Sequence, residues 1–376
     1  MLVSALVAHG RSTPYDNYVL LAQAFLHGHA WINWPGPYID ALAYGGRHYI
    51  IEAPFPALLL MPVVAVFGGA VNQTWLALLL AGVSIGALWE FGERIGLPPQ
   101  RNVWLCAFAL AGTDLLWAAM LGDVWFLAHV SAVCFTLLAL VELAGKRRGW
   151  LVAIYACAAL ESRFTFLLAL PIYAYLLITD DERPLRPTGP WLQRLGSFLA
   201  TLAPIALLWV WYNQARWGTW YDIGYTAWYH QDLAGSPYGS PFRLEYLPYQ
   251  LWSYFVQAPQ FIGRFPWIVP SLSGVALTWT SPALVLAFFA RRPLRMVIAL
   301  WVGVVLLAGP NFIYYVNGFA QFGMRHALDF EPLLFALMAY AMRDWMPKFA
   351  YVLIAYSVAV GLWGCWFWNV FIRPAN

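Results

Sequence analysis

Many of the carboxylates and arginines in this chain fall in the segments that connect its apolar runs. Those expected on the outer side are the carboxylates Asp16, Asp40, Glu52, Asp123, Glu161, Asp222, Asp232 and Glu245 and the arginines Arg47, Arg163, Arg216, Arg243, Arg264 and Arg325. A carboxylate within hydrogen-bond reach of a hydroxyl can take its proton, and a guanidinium can hold a phosphate through two parallel hydrogen bonds. Asp16, between Tyr15 and Asn17 and directly before an apolar helical pattern, is either such a base or a helix-start carboxylate favoured by the dipole. Asp123 follows Gly122 and reads equally as a turn aspartate. The arginines either bind an anion, such as a lipid headgroup, or pair with carboxylates and snorkel.

The stretch "WYNQARWGTWYDIGYTAWYHQDLAGSPYGSPFRLEYLPYQLWSYFVQAPQFIGRFPW" interleaves aromatic rings with Asp, Arg, Gln and Asn. Such a surface stacks on sugar rings, or lies in the headgroup layer that Trp and Tyr favour. His27 and His29 diverge on a helix with no third ligand in view, and His129 sits a turn inside an apolar run as a hydrogen-bonded core residue. Cys106, Cys134, Cys157 and Cys365 are far apart in apolar runs and read as buried hydrophobes.

The elements that must hold these groups belong in lipid. Of 376 residues 62% are hydrophobic and 10% charged, against about 25% charged in a soluble domain. Apolar runs recur at roughly 73–93, 103–121, 124–144, 149–161, 164–179, 192–212, 279–290, 294–315, 326–342 and 349–371, predicting an all-α polytopic membrane protein. The net charge of +3 is too small and scattered for nucleic acid. Basic clusters fall at Arg94/Arg101, 146–148, Arg183/Arg186/Arg194, 291–295 and Arg343/Lys348, and the positive-inside rule places them all in the cytoplasm. That requires two things. Residues 149–179 must form a hairpin with Glu161, Ser162 and Arg163 at its outer tip, since one span would bury two charges at about 2.5–3.5 kcal/mol each. The proline-studded segment 54–69 must lie on the outer surface instead of crossing. A first outer loop, 10–72, and an aromatic-rich outer loop, 213–278, follow; in the first, Ser12 or Thr13 is expected to cap a surface helix. "MLVSALVAHG" is too short to span and lacks a basic start. It is expected to be the remnant of a first helix, lost by truncation or a misplaced start codon, or a short interfacial anchor.

"TPYDNYVLLAQAFLHG" followed by "GGRHYIIEAPFPALLLMP" resembles the first outer loop of polyprenyl-phosphate-sugar-dependent glycosyltransferases of the GT-C fold, among them the dolichyl-phosphate-mannose–protein mannosyltransferases and the lipid A aminoarabinose transferases. "ALESRFTFLLALP", "YNQARWGTWYDIGY" and "FGMRHALDFEPLL" resemble that family's later motifs in the same order. The resemblance implies a GT-C-like bundle of about 10–11 transmembrane helices in a single membrane domain, with its site facing the periplasm or cell exterior. A polyprenyl-phosphate-linked sugar would be the donor, and a hydroxyl on protein, lipid or glycan the acceptor. Asp16 would be the general base of an inverting transfer; Arg325, Arg163 and Arg47 would hold the donor phosphate; Glu52, Asp123, Tyr15, His48 and Asp222 would position substrate. Those enzymes carry an acidic pair where this chain has Asp16-Asn17, which does not support a divalent metal, and no cofactor is expected. A transporter or flippase would place ionisable groups within spans in two matching halves. A lipid-linked glycan ligase or polymerase would rely on arginines without the loop aspartate.

Overall fold

The computed structural model describes residues 12–179, 189–231 and 238–373. The apolar start at 1–11, Arg183, Arg186 and Asp232 lie outside the described residues. Ahead of the bundle come helix α1 (Asn17–Leu26), an antiparallel ribbon of β1 (Leu42–Tyr44) and β2 (Arg47–Tyr49), and α2 (Phe55–Phe67). The ribbon turns at Gly45-Gly46, with φ of 56° and 75°, the left-handed pair that a two-residue hairpin needs. Neither Ser12 nor Thr13 caps α1. The cap position is Asp16, without a side-chain cap bond, because the Thr13 hydroxyl is drawn across to Asp123.

Helix α2 leaves and returns at one end of the molecule. Its Phe55 N–H donates to the Glu161 carbonyl at 2.8 Å. Just after it, Gln73 Nε2 donates to the Tyr15 and Gly122 carbonyls at 3.1 and 2.7 Å. Its 13 residues rise only about 20 Å, short of a core of roughly 30 Å. Residues 54–69 do not cross the bundle.

The bundle continues through α3 (Thr74–Arg94), α4 (Pro99–Ala111), α5 (Leu115–Leu121), α6 (Val124–Leu143), α7 (Gly149–Leu160), a 3-10 helix at Phe164–Ala169 leading into α8 (Leu170–Ile178), and α9 (Gly189–Trp217). After α10 (Gly224–Gln231), α11 (Leu247–Phe255), a ribbon of β3 (Gln260–Phe261) and β4 (Ile268–Val269), and α12 (Leu277–Thr280), a 3-10 helix covers Pro282–Phe289. Then follow α13 (Leu294–Phe312), a 3-10 helix at Arg325–Asp329, α14 (Glu331–Asp344) and α15 (Lys348–Phe367), which runs on as a π turn to Ile372.

Each expected apolar segment is helical, but among the described residues fewer helices than the expected 10–11 are long and apolar enough to cross. Among the described residues five helices are long and apolar enough to cross: α3, α6, α9, α13, and α15 with its π turn. The α4–α5 pair, bent by 47°, makes six if taken as one span. Prolines explain much of the shortfall. Pro171, Pro282 and Pro332 stand in the first turn of their helices, where the missing N–H costs nothing but the ladder cannot extend backward. The apolar runs there are divided between 3-10 turns and short helices.

Helices α3 and α6 run parallel, with α4 and α5 returning between them, and define two ends. At one, the Thr74 hydroxyl donates to the Leu121 carbonyl at 3.2 Å; at the other, Arg94 Nη1 donates to Val141 at 2.7 Å. The second end collects basic clusters: Arg147 reaches the Thr179 carbonyl at 2.6 Å, Arg101 the Arg343 carbonyl at 2.9 Å, and Arg343 the Arg292 carbonyl at 3.3 Å. Packing between helices is close. A Cβ at Gly361 of α15 would lie 1.9 Å from the Ala111 carbonyl oxygen of α4, the small-residue approach that membrane bundles use. Helix α9 instead exposes Leu199, Leu207, Leu208 and Trp211, a flank suited to acyl chains.

Candidate active site

The end opposite the basic clusters holds a cavity of about 1130 Å³. Its wall joins segments far apart in sequence: Tyr15 and Glu52 from the first loop, Asp123 from the α5–α6 turn, Ser162 and Arg163 from the hairpin tip, Tyr225 and Tyr249 from the aromatic stretch, and Arg325 and Arg373. The regions that the charge argument groups on one side thus meet around one space.

Asp329 organises the floor. It is fully buried and accepts hydrogen bonds from His129 Nδ1 at 2.9 Å, Arg163 Nε and Nη2 at 3.0 and 2.8 Å, the Thr165 hydroxyl at 3.1 Å and Asn311 Nδ2 at 3.1 Å. Arg163 also donates to His326 Nδ1 at 3.2 Å. Two segments supply its key donors because α6 carries His129 inward while the hairpin tip turns Arg163 beneath the cavity. The guanidinium charge is matched before any ligand arrives, so Arg163 serves the floor in this geometry instead of standing free for a phosphate.

Among the carboxylates, Glu52 has the freest position. It lines the cavity, is 6% exposed, and its Oε2 has no hydrogen-bond partner. Burial, and then the charge of nearby Asp40, raise its carboxyl to about 8. Asp123 also lines the cavity, but Arg373 engages it with Nη1 and Nη2 at 2.9 and 2.7 Å and Thr13 donates to it as well. It is occupied as a structural anchor. Asp16 does not line the cavity: its neighbour Tyr15 does. Its half-buried carboxyl is shifted upward by burial.

Arg325 is the lining arginine without an ion pair. Its Nη1 donates to the Phe319 carbonyl at 3.1 Å, its Nε is buried without a partner, and its guanidinium lies 5.2 Å from the Phe126 ring centre. Burial, and then the Arg163 charge, lower its pKa to about 10, so it remains a cation at neutral pH. Arg47 and His48 are not brought in. They belong to the β1–β2 ribbon, where Arg47 sits over Trp31 at 5.0 Å and His48 stacks on Trp34 at 4.5 Å. Asp222 is also outside the lining, held by Arg216 Nη2 at 2.6 Å and by the Gly224 N–H. Arg216 in turn lies over the Tyr212 and Trp217 rings at 4.0 and 4.7 Å, so this pair braces the α9–α10 corner.

Sequence reading passed over Asp329, His326 and Arg373. Asp329 lies within the apolar run 326–342, outside the connecting segments that supply the candidate carboxylates. The signal was "RHALD", which brings a cation, a histidine and a carboxylate into one short turn. No group of three or more His, Cys, Asp and Glu among the described residues is arranged to hold a metal. The four cysteines are buried and free. Comparison of the chain with family models, curated proteins and solved structures found no match to any of them.

Proposed function

We propose that this protein is a membrane glycosyltransferase of the GT-C type, moving a sugar from a polyprenyl-phosphate donor to an acceptor hydroxyl. The observation that carries this reading is the pairing, in one cavity wall, of an arginine without a carboxylate partner and a glutamate with an unbonded oxygen, Arg325 and Glu52. One suits a phosphate that gains charge as it leaves; the other suits the proton that the attacking hydroxyl gives up. Aromatic rings of Tyr225, Trp228 and Tyr249 supply faces for a sugar, and the exposed Leu167 and Leu168 extend the wall to the apolar flank, suiting a lipid-linked ligand.

In the transfer, the acceptor oxygen attacks the anomeric carbon as the bond to the lipid phosphate oxygen breaks, and the configuration inverts. The acceptor proton passes to Glu52, and Arg325 holds the departing phosphate. The sequence points to Asp16 as the base; the wall geometry favours Glu52, with Asp16 supporting the loop that carries Tyr15. The basic end faces the cytoplasm in this reading, and the cavity faces outward.

Purified protein in nanodiscs, offered labelled polyprenyl-phosphate pentoses and hexoses with a mixed acceptor extract, should form glycosylated product and free polyprenyl phosphate. Donor carried across vesicles without cleavage would instead support a transporter. Arg325→Lys keeps the charge but loses the two-pronged donor geometry. It should lower turnover about 10–100-fold, comparable to a bond worth about 1.5–3 kcal/mol, and full activity in this variant would remove Arg325 from the phosphate site. Sidedness is checked separately with two exposed positions. In right-side-out vesicles Ala70→Cys should react with an impermeant maleimide and Lys146→Cys should not; the reverse pattern would turn the cavity inward.

A further inference from the structure

We infer that the cavity floor reads a ligand hydroxyl through two histidines of opposite polarity, His129 as acceptor and His326 as donor. The assignment follows from what each partner can do. The Asp329 carboxylate already accepts from Arg163, Thr165 and Asn311, so it is ionised and can only accept from His129. The His129 proton therefore sits on Nδ1, and Nε2 carries a lone pair. That Nε2 is buried with no partner, while the ring forms part of the cavity lining.

His326 is set the other way. A guanidinium only donates, so the Arg163 bond to His326 Nδ1 makes that nitrogen the acceptor. In the neutral ring the proton then sits on Nε2, which makes it the N–H donor of a ring that lines the cavity. The two rings meet edge to face, with centres 5.2 Å apart and planes at 88°. One carboxylate and one arginine thus set both tautomers. A hydroxyl, taking the place of a water, can satisfy both nitrogens at once, since it gives one hydrogen bond and accepts another. A phosphate oxygen can only accept at neutral pH and leaves the His129 lone pair unanswered; a buried acceptor left so is costly. The floor therefore selects a sugar or acceptor hydroxyl, while Arg325 in the wall takes the phosphate. This inference rests on the glycosyl-transfer reading for its choice of ligand, not for the tautomers.

The test uses the full chain labelled with 15N-histidine in nanodiscs, with His129→Phe and His326→Phe to assign the signals. Without ligand, His129 should carry its proton on Nδ1 and His326 on Nε2; the opposite tautomer at either ring overturns the proposal. Farnesyl-phosphate-linked glucose, mannose, galactose and arabinose are then added, with farnesyl phosphate as the sugarless control. At least one conjugate should shift both Nε2 signals, and farnesyl phosphate should shift neither. Equal shifts with farnesyl phosphate, or no shift with any conjugate, would also overturn it. Each Phe variant should bind the effective conjugate about tenfold more weakly, the loss expected for one hydrogen bond, yet bind farnesyl phosphate as the wild type does. His326→Gln, which keeps an N–H donor, should recover most of the loss; a packing role alone predicts no such discrimination. Binding with these shifts but no sugar transfer would leave the hydroxyl site standing and sink the transferase reading.

Discussion

Glu52→Gln is expected to lower sugar transfer by roughly 10²–10⁴-fold, the range for losing a positioned general base, while donor binding stays within about threefold. The amide matches the carboxylate in size and can still bond a hydroxyl, but it cannot accept the acceptor's proton. Asp16→Asn, outside the cavity lining, should cost less than about tenfold if Glu52 alone performs this step. A near-normal Glu52→Gln beside a dead Asp16→Asn would return the base to Asp16. Two pH signatures accompany the prediction. Since the Glu52 carboxyl is raised to about 8, wild-type turnover should climb as pH rises toward that value. Stability should move the opposite way. The folded value lies above the unfolded one, so the stabilising proton is fully retained below the unfolded range and is lost as pH rises through about 8. Glu52→Gln should therefore match wild type in thermal unfolding near pH 5 and exceed it at pH 8 to 9. A carboxylate kept for packing alone would not couple gained stability to lost turnover.

Asp329→Ala should be the most damaging single change to the fold among the cavity residues. Removing it leaves the Arg163 charge buried without its partner and frees the donors of His129, Thr165 and Asn311. Breaking one side of a buried ion pair costs about 3–5 kcal/mol. Thermal unfolding in a fixed detergent, compared with Arg325→Lys, gives the readout. The Arg325 variant should unfold within a few degrees of wild type because no ion pair is lost. If Asp329→Ala were equally benign, the floor would not be holding α6, the hairpin tip and the Arg325–Asp329 turn together.

Much of this arrangement was legible in the sequence, for reasons that differ by element. Helix positions followed from long apolar runs, and the hairpin at 149–179 followed from the cost of burying Glu161 and Arg163. The arginine clusters sorted the connecting segments between two ends, and the observed end-to-end bonds agree with that sorting. Fewer long helices than apolar runs are found among the described residues, because hydropathy does not distinguish an α-helix from a 3-10 turn that a proline starts. Within the site, Glu52, Asp123, Arg163 and Arg325, all candidates from the sequence, line one cavity. Their division of labour was not legible. Whether an arginine is free or matched depends on which carboxylate the fold brings to it, and Asp329 and Arg373 come from distant segments. Arg47 and His48 looked central because of their neighbours in sequence, but the glycine turn folds them into a ribbon facing elsewhere.

The Asp123 carboxylate ties Thr13, near the start of the described chain, to Arg373, near its finish. Tyr15, beside Thr13, also packs its ring 5.5 Å from the Arg373 guanidinium. During synthesis Asp123 emerges long before its arginine, so of these two side-chain partners only the Thr13 hydroxyl is then present. This part of the cavity wall is thus completed by a bond between residues 250 apart in sequence, and a ribosome paused before residue 373 holds a chain that lacks it. A clasp of this kind couples the order of biosynthesis to the shape of the wall: the Asp123 side of the pocket is closed only when the turn after α15 is in place.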